Sequence, residues 1–153
     1  MTHSALICLL LTMVSVSGQS LQVAPASGSP GDNITIEIAL DAPAGQRPSA
    51  LQWDFVFPAQ LLELRQPLAE AGSAAQNSGK TITCAGRNAY TESCILAGGP
   101  ETIPNGTIAA IHLKIRAEAK PGTATIKFGK IQGVTPDLRP LPFKDLDAVI
   151  TIR

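Results

Sequence analysis

Several short stretches of the chain alternate large apolar residues with polar or small ones. The clearest is the segment 51–57, in which every second residue is large and apolar: Leu51, Trp53, Phe55 and Phe57. A period of two puts these four side chains on one face of a β-strand and the residues between them on the other face. At about 1.5–3 kcal/mol for each large side chain that is buried, the row contributes roughly 6–12 kcal/mol gross. The segment is therefore predicted to be a core strand that the rest of the chain covers.

The same alternation predicts further strands on both sides of this segment. It is clear in 34–40, 107–115 and 148–152, and shorter strands are expected at 21–23, 80–84, 92–96 and 125–128. Clusters of Pro, Gly, Asn and Asp separate them, as turns require. One helical turn is expected after Pro58, and the Ala-, Gly- and Ser-rich segment 67–80 is expected to be a loop. Eight or nine short strands without a long helical pattern predict an all-β fold, a β-sandwich.

The first 18 residues are typical of a secretory signal peptide. Residues 5–16 are apolar apart from two hydroxyl residues, and Val16-Ser17-Gly18 offers the small residues at which signal peptidase cleaves. The run is too short to span a bilayer as a helix, so no membrane insertion is expected. The prediction is an exported protein, extracellular or periplasmic, with a signal peptide at 1–18 and a single domain at 19–153.

The charge balance narrows the classes of partner. The chain carries 12 basic and 12 acidic residues without Lys/Arg clusters, so it has no electrostatic footprint for nucleic acid. A monomer without a cofactor or a metal ion is expected. Calcium could be held by loop acids at Asp137, Asp145 or Asp147, but the carboxylates are few and lack EF-hand spacing.

Removing the signal peptide leaves two cysteines, Cys84 and Cys94. Two cysteines in an exported domain indicate a disulfide, and a metal pair would lack further ligands. A bond here would clamp the segment 85–91 as an exposed loop that carries Arg87, Asn88 and Tyr90. A rigid loop of this kind is a possible binding element, because its ordering cost is already met. The other interpretation is a staple for a weak edge hairpin.

The order of motifs resembles that of cohesin domains and of the wider group of carbohydrate-binding-module-like sandwiches. A Pro-Gly-Asp turn leads into the alternating strand 34–38, and the strand Leu-Gln-Trp-Asp-Phe-Val-Phe runs into Pro-Ala-Gln-Leu-Leu-Glu-Leu. Later come Asn-Gly-Thr-Ile-Ala-Ala-Ile-His-Leu-Lys-Ile at 105–115, Ala-Lys-Pro-Gly-Thr at 119–123 and a final Val-Ile-Thr-Ile strand. The similarity covers residues 21–153.

This resemblance implies a nine-stranded jelly-roll sandwich that binds a dockerin module and has no catalytic activity of its own. The outward side of the third-strand region supplies polar dockerin contacts in cohesins. Carried over to this chain, that side consists of Ala50, Gln52, Asp54 and Val56. Such a module would act in extracellular polysaccharide breakdown.

Two other functions remain open: direct glycan binding, and a structural subunit of a surface assembly that uses a sheet edge. Glycan sites present exposed aromatic rings, and here the alternation leaves only Tyr90 and Phe143 outside the core. No catalytic constellation is evident. His112 lies on the polar side of its strand, and a glycosidase would need two carboxyl groups about 5–10 Å apart in a cleft. Nothing pairs the acids that stand in or beside loops: Glu63, Glu70, Glu92 and Glu101.

Overall fold

The computed structural model describes residues 18–153, so the predicted signal peptide lies outside the described residues apart from Gly18. The described chain forms two sheets. The first contains β1 (Ser20–Val23), β3 (Asn33–Asp41), β5 (Leu62–Ala71) and β8 (Gly106–Ile115). The second contains β2 (Ala26–Gly28), β4 (Ala50–Val56), β6 (Thr81–Asn88), β7 (Thr91–Ala97), β9 (Gly122–Val134), β10 (Pro140–Pro142) and β11 (Leu146–Ile152). A 3₁₀ turn (Ala44–Gln46) and one short helix, α1 (Ser73–Asn77), complete the described elements.

The strand order is β1-β3-β8-β5 in the first sheet and β2-β11-β9-β4-β7-β6 in the second, where β10 also pairs with β9. The pairings are antiparallel except for that of β2 with β11. The inward side chains of both sheets form one apolar core. The predicted all-β sandwich is confirmed.

The aromatic row of β4 lies at the centre of that core, as its alternation predicts. Trp53 and Phe55 are fully buried, and Phe57 is nearly so. The ring of Phe55 is 5.8 Å from that of Phe128 on β9 and 6.2 Å from that of Phe57, distances at which tilted aromatic pairs attract each other. These contacts fix which face of β4 points inward and which is left for solvent or a partner.

The strand count differs from the nine that were expected. Eleven strands are present in residues 18–153, and two of them, β2 and β10, have only three residues, so nine longer strands remain. Three residues are too few to show an alternating pattern in sequence.

The segment 67–80, expected to be a loop, was a wrong prediction. It contains the end of β5, helix α1 and the short connection from α1 to β6. Its small residues serve close packing: Ala69 and Ala71 pair with β8, and a Cβ on Gly72 would lie 2.4 Å from the carbonyl oxygen of Thr107. The same composition that suggests a flexible loop therefore lets this segment lie directly against β8.

Within residues 18–153, the helices are far too short to cross a membrane.

Candidate functional site

The outward face of the second sheet is the candidate site, and β4 runs through its middle. Along β4 the inward residues are buried, while Gln52 and Val56 are exposed and Ala50 is half-buried. Asp54 also occupies an outward position, yet it is only 9% exposed. Side chains from three neighbouring strands cover it, so this outward position of β4 is much less accessible to solvent than its place in the sequence suggests.

Asp54 lies at the centre of a hydrogen-bonded charge cluster. The hydroxyl of Ser93, directly opposite on β7, donates to its Oδ1 at 2.6 Å. Arg87 Nε on β6 lies 3.7 Å from Oδ1, and Lys130 Nζ on β9 lies 3.3 Å from Oδ2. The hydrogen bond from Ser93 and the two cations hold the pKa of Asp54 below its ordinary value, against a smaller opposing effect of burial. The carboxylate is therefore ionised and already engaged within the domain.

The two cations hold Asp54 only loosely. The side chain of Arg87 is 61% exposed and that of Lys130 is 80% exposed. Ion pairs of this kind are screened by water and salt and contribute about 0–1 kcal/mol each. Arg87 also donates from Nη2 to the Ser93 hydroxyl at 3.2 Å, which ties β6 to β7 on the same face. A partner could therefore draw either cation toward itself at small cost.

A β-bulge in β9 brings Lys130 to Asp54. Gln52 pairs with Gln132 and Asp54 with Gly129, so β9 has one more residue than β4 in this interval. Lys130 has a φ of +50°, a conformation that is uncommon for a residue with a side chain. Bulges of this kind redirect a side chain, and here the bulge turns an ammonium group toward the carboxylate.

Gly129 leaves open space opposite Asp54. The resulting groove has a volume of about 510 Å³ and is lined by Asp54, Val56, Arg87, Asn88, Thr91, Lys127, Phe128, Gly129, Lys130, Asp145 and Asp147. A Cβ on Gly129 would make only ordinary contact with Asp145, at 3.5 Å or more. The groove thus has a charged lining of both signs and a floor that a side chain would partly fill.

Exposed apolar side chains concentrate on this face. Five large apolar residues are exposed in the described part of the chain. Val56 on β4, Ile95 on β7 and Val149 on β11 point outward from the second sheet, since the residues beside them in each strand are buried. Tyr90 lies at the tip of the β6–β7 hairpin, and Leu138 lies in the β9–β10 turn. Ile95 pairs with Gln52, whose side-chain amide donates to Gln132 Oε1 at 3.4 Å.

The predicted disulfide is confirmed. Cys84 on β6 and Cys94 on β7 are directly opposite each other and are joined by an S–S bond. Cys94 is fully buried and pairs with Trp53 on its other side, so the bond lies on the inward face of the sheet. The disulfide therefore lies behind the candidate face, on the inward side of the sheet, and is not part of that face.

The predicted loop 85–91 is not a loop. β6 continues to Asn88 and β7 begins at Thr91, so only two residues, Ala89 and Tyr90, connect the strands. Asn88 Oδ1 accepts a hydrogen bond from the N–H of Tyr90 at 3.0 Å, which closes the turn. Backbone pairing with β7 extended the strand beyond the point at which the apolar alternation of the sequence stops.

The predicted site residues come together only in part. Arg87 reaches Asp54, and Asn88 lines the same groove as Asp54 and Val56. Ala50 and Gln52 line a separate shallow depression with Ile95 and Gln132. Sequence reasoning missed Ser93, Ile95, Gly129 and Lys130. The alternation of 92–96 would have placed Ile95 on the outward face of its strand, since Cys94 beside it points inward. No local signal in the sequence indicates the bulge at 129–130.

The other candidate chemistry lies elsewhere. His112 is on β8 of the first sheet, where its Nδ1 is 3.2 Å from the Thr35 hydroxyl and its Nε2 is 3.3 Å from Glu70 Oε2. Glu63 forms ion pairs with Lys114 on β8 and with Arg116, the residue that follows β8. In residues 18–153, no three His, Cys, Asp or Glu side chains are grouped so that they could hold a metal ion.

Comparison with solved structures identifies which known fold this chain has. No protein-family profile matches the chain, and no curated protein matches it by sequence. Among solved structures, the sixth cohesin of scaffoldin B from Acetivibrio cellulolyticus, in complex with a dockerin, has a TM-score of 0.78 at 17% identity and covers 90% of this chain and 100% of its own. The OlpA cohesin of Clostridium thermocellum, also in complex with a dockerin, has a TM-score of 0.78 at 16% identity with the same coverage.

A third structure has the same architecture in a different setting. The non-cellulosomal cohesin of the archaeon Archaeoglobus fulgidus has a TM-score of 0.71 at 12% identity and covers 90% of this chain and 92% of its own. At these identities the likeness is one of fold. The chain has the cohesin fold over nearly all of its described length, and the resemblance seen in the sequence is confirmed at that level.

Proposed function

We propose that this chain is a non-catalytic protein-binding module that uses the outward face of β9, β4, β7 and β6 to bind a dockerin-like partner. The observation that carries the proposal is the composition of that face. Three of the five exposed large apolar residues lie on its sheet, around a built charge cluster at Asp54. Two similar solved structures are cohesins in complex with dockerins, which supports this choice of partner.

The physical chemistry of the face suits a protein and not a small substrate. Protein interfaces combine exposed apolar anchors with a polar rim, whereas substrate sites are concave and enclosed. Ile95 and Val56 would supply the anchors, and the groove at Gly129 would receive a side chain of the partner. Ala50, Gln52, Asp54 and the hairpin residues Arg87, Asn88 and Tyr90 would form the polar and aromatic surroundings.

The proposed setting is outside the cell, in polysaccharide breakdown. The disulfide supports export, because such bonds form and persist mainly in oxidising compartments. The signal peptide predicted at 1–18 fits the same setting. We propose that the exported domain, residues 19–153, is a monomer that needs no cofactor or metal ion.

The test is a capture experiment with the exported domain and the secreted proteins of the source organism. Wild type should retain a protein that carries a dockerin-like module, and purified partner should then bind in calorimetry. Ile95→Glu and Val56→Glu should weaken binding about tenfold or more, because each buries an unpaired charge in the interface. Thr35→Glu is the matched control, since it adds the same charge to an exposed position on the other sheet.

The outcomes separate the candidate functions. A partner that binds Ile95→Glu as tightly as the Thr35→Glu control would rule out this face. Retention on insoluble polysaccharide without a protein partner would support the glycan-binding alternative, for which the exposed ring of Tyr90 is the structural basis. Concentration-dependent assembly in light scattering would support the structural-subunit alternative, with β6, the longer of the two edge strands of the sheet, as the pairing edge.

A further inference from the structure

The turn between β9 and β10 is closed by a network of hydrogen bonds among its own residues. Its five residues, 135–139, are closed by hydrogen bonds from the N–H of Thr135 to the carbonyl of Arg139 and from the N–H of Leu138 to the carbonyl of Thr135, both at 2.9 Å. The Thr135 hydroxyl accepts from the N–H of Arg139 and donates to Asp137 Oδ1. Arg139 Nε also donates to Asp137 Oδ2 at 2.7 Å. This network holds the turn in one conformation.

The residue at the apex of this turn is the wrong one for its backbone. Leu138 has a φ of +61°, in the left-handed region. Short hairpin turns closed in this way place a left-handed residue at that position, and Gly or Asn is the usual choice because a larger side chain clashes there. A leucine is strained at such a φ and adopts it only where its surroundings enforce that conformation. Here the hydrogen bonds of Thr135 and Asp137 do so.

Packing does not explain the leucine either. The side chain of Leu138 is 80% exposed, the largest exposure among the large apolar residues described. It therefore contributes neither an easy backbone conformation nor buried apolar area. A residue that costs stability on both counts is expected where function requires it.

We propose that Leu138 is a pre-organised contact residue that inserts into an apolar socket on the same protein partner that covers the outward face. The turn continues β9 directly beyond Val134, which pairs with Ala50 at the end of β4, so the new contact adjoins that face. A rigid turn presents the side chain with little further loss of conformational entropy on binding. The Asp137–Arg139 ion pair beside it would form the polar rim of the contact. The inference rests on the proposed function, because it requires a protein partner.

Three substitutions separate the backbone effect from the side-chain effect. Leu138→Gly removes both the strain and the side chain, Leu138→Asn keeps a left-handed backbone with a polar side chain, and Leu138→Ala removes most of the side chain but keeps the strain. In thermal unfolding, we expect the Gly and Asn variants to melt above wild type and the Ala variant to melt close to it. In calorimetry with the captured partner, we expect all three to bind about tenfold or more weakly.

Each outcome decides between the two proposals. If Leu138→Gly melts below wild type, the side chain packs within the domain and the inference is wrong. If all three variants bind like wild type while Ile95→Glu does not, the outward face stands and the role of Leu138 is overturned. If the Leu138 variants lose binding while Ile95→Glu retains it, the contact at Leu138 stands and the proposed face is wrong. If the wild-type domain binds insoluble polysaccharide and captures no protein partner, both the proposed face and the role of Leu138 are overturned.

Discussion

Reduction of the Cys84–Cys94 bond should lower the stability of the domain by about 3 kcal/mol. The bond closes a segment with a sequence separation of 10. In the chain-entropy description, a crosslink over about ten residues removes about 9 cal/mol/K of entropy from the unfolded chain, which is about 2.7 kcal/mol at 25 °C. For a domain of roughly 135 residues, the entropy of unfolding is about 280 cal/mol/K, so the melting temperature should fall by about 10 °C.

The structure also predicts where the effect is felt first. β6 is the edge strand of its sheet, and only Ile82 and Cys84 among its side chains pack against the core. At the next inward position, Gly86 has no side chain and faces the carboxylate of Glu92, whose pKa is raised by burial. The part of β6 beyond Cys84 therefore has no apolar side chain in the core, and it is held by backbone pairing, the disulfide and the exposed contacts of Arg87 with Ser93 and Asp54. Amide hydrogen exchange in that part should accelerate before exchange in the core strands.

The assay compares oxidised and reduced wild type by thermal and chemical unfolding, with hydrogen exchange read strand by strand. Reduction is preferred to substitution because it removes no heavy atom from the buried Cys94 and therefore creates no cavity. Cys84→Ala combined with Cys94→Ala is the control, and reductant should not change its melting temperature. A melting temperature that falls by less than about 2 °C on reduction would refute the entropic reasoning.

Three further substitutions test other parts of the structure. Asp54→Asn should make the stability of the domain less sensitive to acid. The pKa of Asp54 is lowered in the folded state, so the stabilisation by its carboxylate is present above the ordinary value of 3.8 and is lost as the pH falls through the lowered folded value. Unfolding measured as a function of pH would show the difference between the variant and wild type. Gly72→Ala should cost about 1–3 kcal/mol because its Cβ would overlap backbone of β8, while Gly45→Ala, with nothing within 4 Å, should be neutral in the same unfolding assay. Lys80→Met should cost about 1–3 kcal/mol in urea unfolding, because the buried ammonium donates to two backbone carbonyls after β7 that would lose their partner.

The sequence predicted best where two effects act in the same direction. In β4, the period of two and the size of Trp53, Phe55 and Phe57 both require one buried face, so strand, orientation and core position could all be read from seven residues. The outward positions of β4 followed from the same parity. The disulfide was predictable because the partner of each cysteine was limited to the other once the signal peptide was set aside.

The prediction failed where a residue's role depends on a strand far away in sequence. The alanines and glycine of 69–72 have a loop-like composition, and only the neighbouring β8 shows that their small size is needed for close packing. The approach of Lys130 to Asp54 depends on a single extra residue in β9 relative to β4. Such a count is a property of the pairing between strands and leaves no pattern in either strand alone.

The charge cluster at Asp54 also determines which substitutions test the proposed binding face without disturbing contacts inside the domain. Asp54 already has a hydroxyl donor and two cations, so a partner gains little from it by adding a third charge. Removing Asp54 would instead leave Arg87 and Lys130 without their shared carboxylate, and any loss of binding would include the reorientation of those two cations. Ile95 has no such internal partner, since it is an exposed aliphatic side chain opposite Gln52. A substitution at Ile95 changes what the partner meets and little else, so the affinity of Ile95 variants measures the face itself, whereas the affinity of Asp54 variants measures the face together with its internal ion pairs.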